Sequence, residues 1–214
     1  MFNLFLGIWV TAGIVIGFLM PPARELVQST AMYFHVPMAI SMLACFMVSA
    51  WNGALWLRTR DTNRDALSLS FAEVGAVCGL IATASGSVWA RANWGAYWSW
   101  DPQQVGIVAT LLTYGALFAL RGAIEDDDKK RDLWAVYAIL GCLSAIFFTY
   151  IFRRLIPSLH PDDILVNSDN DKWYRIALWF NVIGYIMVAS KLSMLRARLE
   201  KAHENLKELK WNMS

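Results

Sequence analysis

Six long apolar stretches, separated by short polar segments, dominate the hydropathy pattern of this 214-residue chain. Each stretch has roughly 20 residues, the length that an α-helix needs to cross the hydrocarbon core of a bilayer. The pattern therefore predicts an all-α integral membrane protein with six transmembrane helices. The predicted spans cover approximately residues 2–20, 36–57, 66–88, 103–120, 133–152 and 173–192.

Composition agrees with this class, since 57% of the residues are hydrophobic and the mean hydropathy is +0.39. Pro21 and Pro22 follow the first span where a signal peptide would have a small-residue cleavage site, so we expect a retained helix. The three cysteines lie within predicted spans and form no Cys-x-x-Cys motif, which predicts buried, inert thiols rather than a redox or covalent c-type haem site. They are Cys45, Cys78 and Cys142.

The C-terminal segment has a different pattern, in which apolar residues recur at alternating steps of four and three between Lys, Arg and Glu. This spacing predicts an amphipathic helix that contacts a membrane surface or a partner. We therefore divide the chain into a six-helix membrane domain, residues 1–194, and an amphipathic tail, residues 195–214. The apolar positions are Leu195, Leu199, Ala202, Leu206 and Leu209.

The distribution of Lys and Arg predicts the orientation of the spans. The loops after the second and fourth spans, together with the tail, carry 13 of the 19 cations. Because cytoplasmic loops carry the excess of Lys and Arg, we expect both termini in the cytoplasm and the loops after spans one, three and five on the outer face. The net charge is only +2, and the cations form no stripe along a helix, so the sequence gives no support for nucleic-acid binding.

An aromatic segment, residues 89–101, connects the third and fourth spans. Its indole rings suit the headgroup zone of a membrane, and they also suit stacking on a flat amphipathic ligand. Asp101 stands directly before Pro102, a pair that predicts an N-cap for the fourth span. The segment contains Trp89, Trp94, Trp98 and Trp100, with Gly95 at a predicted turn.

Two of the three histidines are predicted on the same face as the aromatic segment. His35 lies where the first outer loop meets the second span, and His160 lies in the last outer loop, whereas His203 lies on the polar side of the tail. Two neutral imidazoles on opposite faces of a macrocycle give six-coordinate haem. Zinc usually has three or four protein ligands. Asp162 and Asp163 are expected to form a solvated acidic loop, so haem fits the available ligands better.

A bound haem b would need aromatic cover for its ring and cations for its propionates. Trp94, Trp98 and Trp100 could supply the cover. The alternative for each cation is ordinary contact with lipid headgroups. The candidate cations are Arg91, Arg153, Arg154 and Lys172.

An acidic residue, Glu73, lies inside the third span near its predicted cytoplasmic end. Acidic side chains are costly inside a membrane and are usually paired. We expect Glu73 to pair with Arg58 or Arg64, or to reach the interface.

The run Trp94-Gly95-x-x-Trp98-x-Trp100-Asp101 resembles the tryptophan-rich (WWD) signature of haem-handling proteins of cytochrome c biogenesis, a superfamily with CcmC, CcmF and CcsA types. The six spans, the short length and Phe-His-Val-Pro-x-Ala at residues 34–39 resemble the CcmC family in particular, over nearly the whole chain. The resemblance implies that His35 and His160 are axial haem ligands. It implies a haem platform of Trp94, Gly95, Trp98, Trp100 and Asp101.

The resemblance also implies a function without catalysis: the protein holds haem at the outer face of the bacterial inner membrane and delivers it to a periplasmic chaperone of the CcmE type. The implied partners are an ABC transporter of CcmA and CcmB and the small protein CcmD. Many CcmC sequences have an arginine two residues after the aspartate, whereas this chain has Gln103, as in the CcsA type. Arg91 or the Arg153-Arg154 pair would then bind the propionates.

Three alternatives stay open at this point. They are a CcsA-like component of a cytochrome c synthase, a b-type cytochrome that exchanges electrons with quinone, and a small transporter whose tryptophans form only an interface belt.

Overall fold

The computed structural model describes residues 2–19, 31–160 and 172–213, and these residues contain helices and no strands. Pro21, Pro22, Arg24, Asp162 and Asp163 lie outside the described residues. The helices are α1 (Phe2–Leu19), α2 (Met32–Thr59), α3 (Thr62–Trp94), α4 (Pro102–Ala123), α5 (Asp127–Ile146), a π-helical segment (Phe147–Ile151), α6 (Phe152–Leu155) and α7 (Lys172–Asn212).

Six helical spans in the described residues are long and apolar enough to cross a membrane, which confirms the predicted number. The fifth consists of α5, the π-helical segment and α6 together. Two helices begin before the apolar stretch does, because a capping aspartate allows a charged first turn. The Asp61 carboxylate accepts from the backbone N–H of Asn63 at the start of α3, and the Asp126 carboxylate accepts from that of Lys129 at the start of α5.

The core lies where α2 packs against α3, α5 and α7. At its centre the rings of Phe46 and Tyr114 are stacked, with centroids 3.6 Å apart. Helix α1 packs along α7, where the Asn181 side chain donates a hydrogen bond of 3.1 Å to the carbonyl oxygen of Gly13. All three cysteines are buried and free, as predicted.

One end of the bundle, the ion-pair end, carries charged pairs between helices. Arg121 and Arg131 approach the buried Asp65 from two helices, and Arg60 pairs with Asp132. The expected partner of Glu73, Arg58 or Arg64, was wrong, since Arg196 of α7 lies 2.8 Å from the Glu73 carboxylate.

Helix α7 is continuous for 41 residues, so the domain boundary at residue 194 falls inside a helix. Its charged side chains, Arg196 and Glu204, pair with the bundle, whereas Leu199 and Leu206 are more than half exposed. The continuity of α7 explains the partner of Glu73, because the helix places Arg196 beside Glu73 and Lys201 beside Thr62 at the start of α3. His203 is exposed, as predicted.

The other end, the histidine end, brings together the start of α2, the end of α3, the aromatic segment, the start of α4 and the residues after α6. The π-helical segment packs against α4 at Gly106, where an added Cβ would lie 2.2 Å from the carbonyl oxygen of Phe148. Only glycine allows this close approach of the fifth span to α4.

Candidate paired-histidine site

His35 and His160, which are far apart in the sequence, line the same cavity at the histidine end. Trp98, Gly86 and Gln103 also line it. Its volume is about 40 Å³, much smaller than the 300–1,000 Å³, roughly, of a pocket for a small organic ligand. A large planar ligand would therefore bind at the mouth of the cavity or require its rim to move apart.

Asp101 holds His160 in place. Its Oδ1 lies 2.8 Å from His160 Nδ1, and its Oδ2 accepts hydrogen bonds from the Ser158 hydroxyl at 2.9 Å and from the backbone N–H of Leu159 at 2.6 Å. Oδ1 also accepts from the backbone N–H of Gln103 at 2.9 Å, which confirms the predicted N-cap of α4. One carboxylate thus joins the aromatic segment, α4 and the loop that carries His160.

The charges at this contact follow from its hydrogen bonds. Burial acts to raise the pKa of Asp101, but the hydrogen bonds from Leu159, Gln103 and Ser158, together with His160, hold the pKa below its usual value. Burial lowers the pKa of His160, against the opposing effect of Asp101 and with a smaller lowering effect of Arg153. An ionised carboxylate only accepts, so a neutral His160 donates through Nδ1–H and keeps its Nε2 lone pair free.

His35 lies in the first turns of α2 and has a different partner. Its Nδ1 lies 3.2 Å from the Ser85 hydroxyl oxygen on α3. The single hydrogen of that hydroxyl is within reach of the carbonyl oxygens of Ile81, at 2.8 Å, and Ala82, at 3.2 Å, and when it is donated to either of them the hydroxyl accepts from the Nδ1–H of His35. In that arrangement Nε2 of His35 keeps its lone pair, as in His160, and the backbone of Ala82 also makes a hydrogen bond with the His35 ring. Gly86 leaves room for the ring, since an added Cβ would lie 2.6 Å from Cε1 of His35.

The aromatic segment divides into an inner and an outer part. Helix α3 continues to Trp94, and the Trp89 and Trp94 rings pack against the His160 ring, with centroids 6.4 and 4.9 Å away. Trp98 lines the cavity and meets Trp100 edge to face at 5.7 Å. Trp100 is 78% exposed, so it contributes a surface rather than a wall.

Two residues shape the turn between these parts. Gly95 ends α3 with a φ of 80°, a left-handed conformation that suits glycine. Gln104 then fixes the loop: its Oε1 accepts from the backbone N–H of Ser99 at 2.9 Å, and its Nε2 donates to the carbonyl oxygen of Tyr97 at 3.1 Å. Trp100 also has a positive φ, of 60°, directly before Asp101.

The four candidate cations have different surroundings. Arg91 donates to the carbonyl oxygen of Gly95 and lies over the Tyr97 ring, so it caps the end of α3. Arg154 lies over the Tyr150 ring at 4.4 Å, and Lys172 lies over the Trp173 ring at 5.3 Å. Arg153 acts electrostatically on His160.

Sequence reasoning missed Ser85, Gly86, Gln104 and Ser158 as parts of this end. The run of small residues at 84–87, near the end of the third span, was the available signal for the first two. Two buried polar atoms here have no hydrogen-bond partner in the described part of the chain, Nε1 of Trp89 and Oε1 of Gln103. Buried polar atoms without partners are rare, so they mark places where a ligand could bind.

Six apolar helices with two histidines on one cavity at the same end define a multi-pass membrane protein with a paired-histidine site. The family model described as "Heme exporter protein C" (CcmC) matches residues 1–212, and the chain belongs to this family.

Curated relatives agree with the family model. The chain is 28% identical to "Heme exporter protein C" of Paracoccus denitrificans, over 94% of this chain and 88% of the relative. It is 28% identical to the protein of the same name in Rhodobacter capsulatus, over 92% and 84% of the two chains. The Escherichia coli K12 protein of that name is 26% identical over 88% and 78%.

Proposed function

We propose that this protein binds haem b through Nε2 of His35 and Nε2 of His160 and delivers it to a CcmE-like periplasmic chaperone. Family membership supports the coarser role, haem handling for cytochrome c maturation. The observation that carries the finer proposal is that both histidines line one cavity, each with a hydrogen-bond partner at Nδ1.

The residues at this end fit a haem. Neutral imidazole is a common axial ligand of haem iron, and Trp98 offers an aromatic wall beside both ligands. Gly86 leaves the His35 ring unobstructed, and Oε1 of Gln103 is a buried acceptor without a partner. Because the cavity is small, haem would enter as the aromatic segment and the His160 loop move away from α2.

The positions of the ligands favour cargo over a resident cofactor. His35 lies in the first turns of α2, and His160 lies in a loop with 21% of its side chain exposed. A b-type cytochrome that exchanges electrons with quinone would hold its haem deeper between the helices. Ligands at a helix start and in a loop give a transfer protein access to its acceptor, so we assign binding and release rather than catalysis.

Arg153 is the best candidate for a propionate contact, because its charge acts on His160. Arg91 and Arg154 have local roles on Gly95 and on the Tyr150 ring. Gln103 adds a polar group at the position where many members of the family have an arginine two residues after the aspartate.

The haem site is proposed on the periplasmic face of the inner membrane, with both termini in the cytoplasm and with CcmA, CcmB and CcmD as partners. Single-cysteine labelling tests the orientation in a variant without Cys45, Cys78 and Cys142. A membrane-impermeant maleimide added to intact spheroplasts should label Cys introduced at Ser99 but not at Asn63. The reverse pattern would contradict the orientation.

Haem binding is tested by the absorption spectrum of protein purified from haem-replete cells. The native protein should show a Soret band, and the His35→Ala, His160→Ala double variant should lose it. His203→Ala is the matched control, because the third histidine is exposed in the tail and should not affect the band. A native protein without the band, or a double variant with an unchanged band, would refute the ligand assignment.

Transfer is tested separately by mixing the haem-loaded protein with a haem-free CcmE-like chaperone. We expect haem to move to the chaperone, which is then separated and measured. A haem that stays bound and instead cycles with quinone would favour the b-type cytochrome.

A further inference from the structure

The two histidines differ in the charge of their hydrogen-bond partners. Nδ1 of His160 lies 2.8 Å from the carboxylate of Asp101, whereas Nδ1 of His35 lies 3.2 Å from the neutral hydroxyl of Ser85. A carboxylate partner raises the basicity of a metal-bound imidazole, because it stabilises the positive charge that the ring gains on coordination. A neutral hydroxyl at a longer distance does this much less.

The carboxylate of Asp101 is fixed in position. Only 1% of its side chain is exposed, and it accepts hydrogen bonds from Gln103, Ser158 and Leu159 as well as from His160. These bonds hold the acceptor atom in line with the imidazole whether or not the ring binds iron. Ser85, in contrast, is a neutral partner whose hydroxyl also lies within hydrogen-bond distance of the carbonyl oxygens of Ile81 and Ala82.

We propose that Asp101 is a positioning residue that makes His160 the stronger of the two iron ligands and leaves His35 as the ligand that yields first. The proposal rests on the haem-binding function above and adds an order of events to it. On release, the bond between iron and Nε2 of His35 breaks first and its electron pair stays on the imidazole. A Lewis base of the acceptor then takes the open position while His160 still holds the iron, with no change in oxidation state.

The order of ligand strength predicts a difference between two single variants. The dissociation constant of haem should be roughly 10- to 100-fold lower for His35→Ala than for His160→Ala. Loss of the outer partner of a metal ligand changes affinity by a factor of this order. Haem titration followed by the Soret band measures both constants. Equal constants, or tighter binding by His160→Ala, would overturn the proposal.

The role of Asp101 itself is tested by Asp101→Asn, because asparagine also caps helices and has nearly the same shape. We expect haem affinity to fall roughly 10- to 100-fold and the midpoint potential of the haem to rise, since a less basic ligand stabilises ferric iron less. Ser85→Ala, the matched change on the other ligand, should reduce affinity by less than about threefold.

Ser158→Ala separates positioning of the loop from the effect on the ligand. It removes the hydrogen bonds of the Ser158 hydroxyl with Asp101 and with the backbone N–H of His160 but keeps the carboxylate beside His160, so the midpoint potential should shift much less than in Asp101→Asn. Equal shifts of potential in Asp101→Asn, Ser85→Ala and Ser158→Ala would overturn the proposal. If Asp101→Asn does not fold, the comparison of His35→Ala with His160→Ala decides.

These outcomes are distinguishable from failure of the haem-binding function. That function fails if the native protein has no Soret band or if the double histidine variant keeps it. The proposal about Asp101 fails when haem binds through both histidines but the two sides respond equally.

Discussion

The two ends of the bundle use polar groups in opposite ways. At the ion-pair end, charged side chains face one another, and Arg121 makes two hydrogen bonds, of 2.9 and 2.6 Å, to the buried carboxylate of Asp65. At the histidine end a single buried carboxylate, Asp101, orients the imidazole of His160, which lines a cavity. The first arrangement joins helices, whereas the second leaves lone pairs for a ligand.

This difference means that charge alone does not locate a site. The ion-pair end has more charged contacts, but its charged groups meet partners within the chain. The histidine end has fewer charged contacts. It has two histidines on a cavity and a buried Gln103 Oε1 without a hydrogen-bond partner among the described residues, groups that a ligand could bind. Substitutions at the ion-pair end should therefore change stability, and substitutions at the histidine end should change haem binding.

The largest effect is expected for Arg121→Ala. The change leaves Asp65, with 2% of its side chain exposed, without its bidentate partner. Removal of one member of a buried pair costs about 3–5 kcal/mol, and we expect the lower part of this range because Arg131 lies 3.8 Å from the same carboxylate. The free energy of unfolding, from SDS titration in mixed micelles, measures the loss.

Arg60→Ala is the control for that experiment, because the Arg60 side chain is 57% exposed and exposed pairs contribute at most about 1 kcal/mol. Haem affinity of the folded protein should be unchanged in both variants. Equal destabilisation by the two changes would contradict the distinction between a buried and an exposed pair.

The next effect is expected for Gly86→Ala. The added Cβ would lie 2.6 Å from Cε1 of His35, so the ring must turn and Nε2 moves away from its position. We expect haem to bind roughly 10- to 100-fold more weakly, as when the support of a metal ligand is lost. Gly115→Ala is the matched control, since a Cβ there meets nothing within 4 Å. Similar losses of haem affinity in both variants would mean that the effect of Gly86→Ala does not depend on its contact with His35.

A smaller effect is expected for Trp98→Leu. The change removes the indole that lines the cavity and should weaken haem binding about two- to tenfold, because an aromatic contact contributes about 0.5–1.5 kcal/mol beyond its buried area. Trp100→Leu should have less effect, since Trp100 is 78% exposed. A larger loss from Trp100→Leu would show that the outer surface, not the cavity wall, receives the haem.

The smallest effect is expected for Glu73→Gln at the ion-pair end. Glu73 and its partner Arg196 have about a third of their side chains exposed, so solvent screens the pair and its loss should cost less than about 1 kcal/mol. SDS titration again provides the measurement. A loss as large as that of Arg121→Ala would show that α7 is held to the bundle mainly through this pair.

The sequence predicted the spans well because each apolar stretch is long and each is bounded by polar residues. It placed the ends less well. Helix α3 continues six residues past the predicted end at residue 88 and includes Trp94, because polar and aromatic residues such as Arg91 and Asn93 are compatible with a helix that leaves an apolar environment. The partner of Glu73 was missed because hydropathy does not show that α7 continues beyond its apolar stretch and places Arg196 beside α3.

The residues of the candidate site could also be predicted only in part from the sequence. His35, His160 and the tryptophans are rare residue types, so they stand out in a membrane sequence. Their supporting residues do not, because Ser85 and Gly86 are common in packed helices and their importance depends on which helix faces them. The N-cap of Asp101 follows from its neighbour Pro102, but its second contact, with His160, depends on tertiary structure.

The number of residues in the π-helical segment, 147–151, helps to determine where His160 lies. A π-helical turn contains one more residue than an α-helical turn. Each residue of an α-helix rotates the chain by about 100° around the helix axis. Loss of a single residue there would restore the α-helical pitch and turn the following chain, including His160, toward another side of the fifth span. A deletion in this stretch should therefore separate His160 from Asp101, whereas a substitution that keeps the length should not.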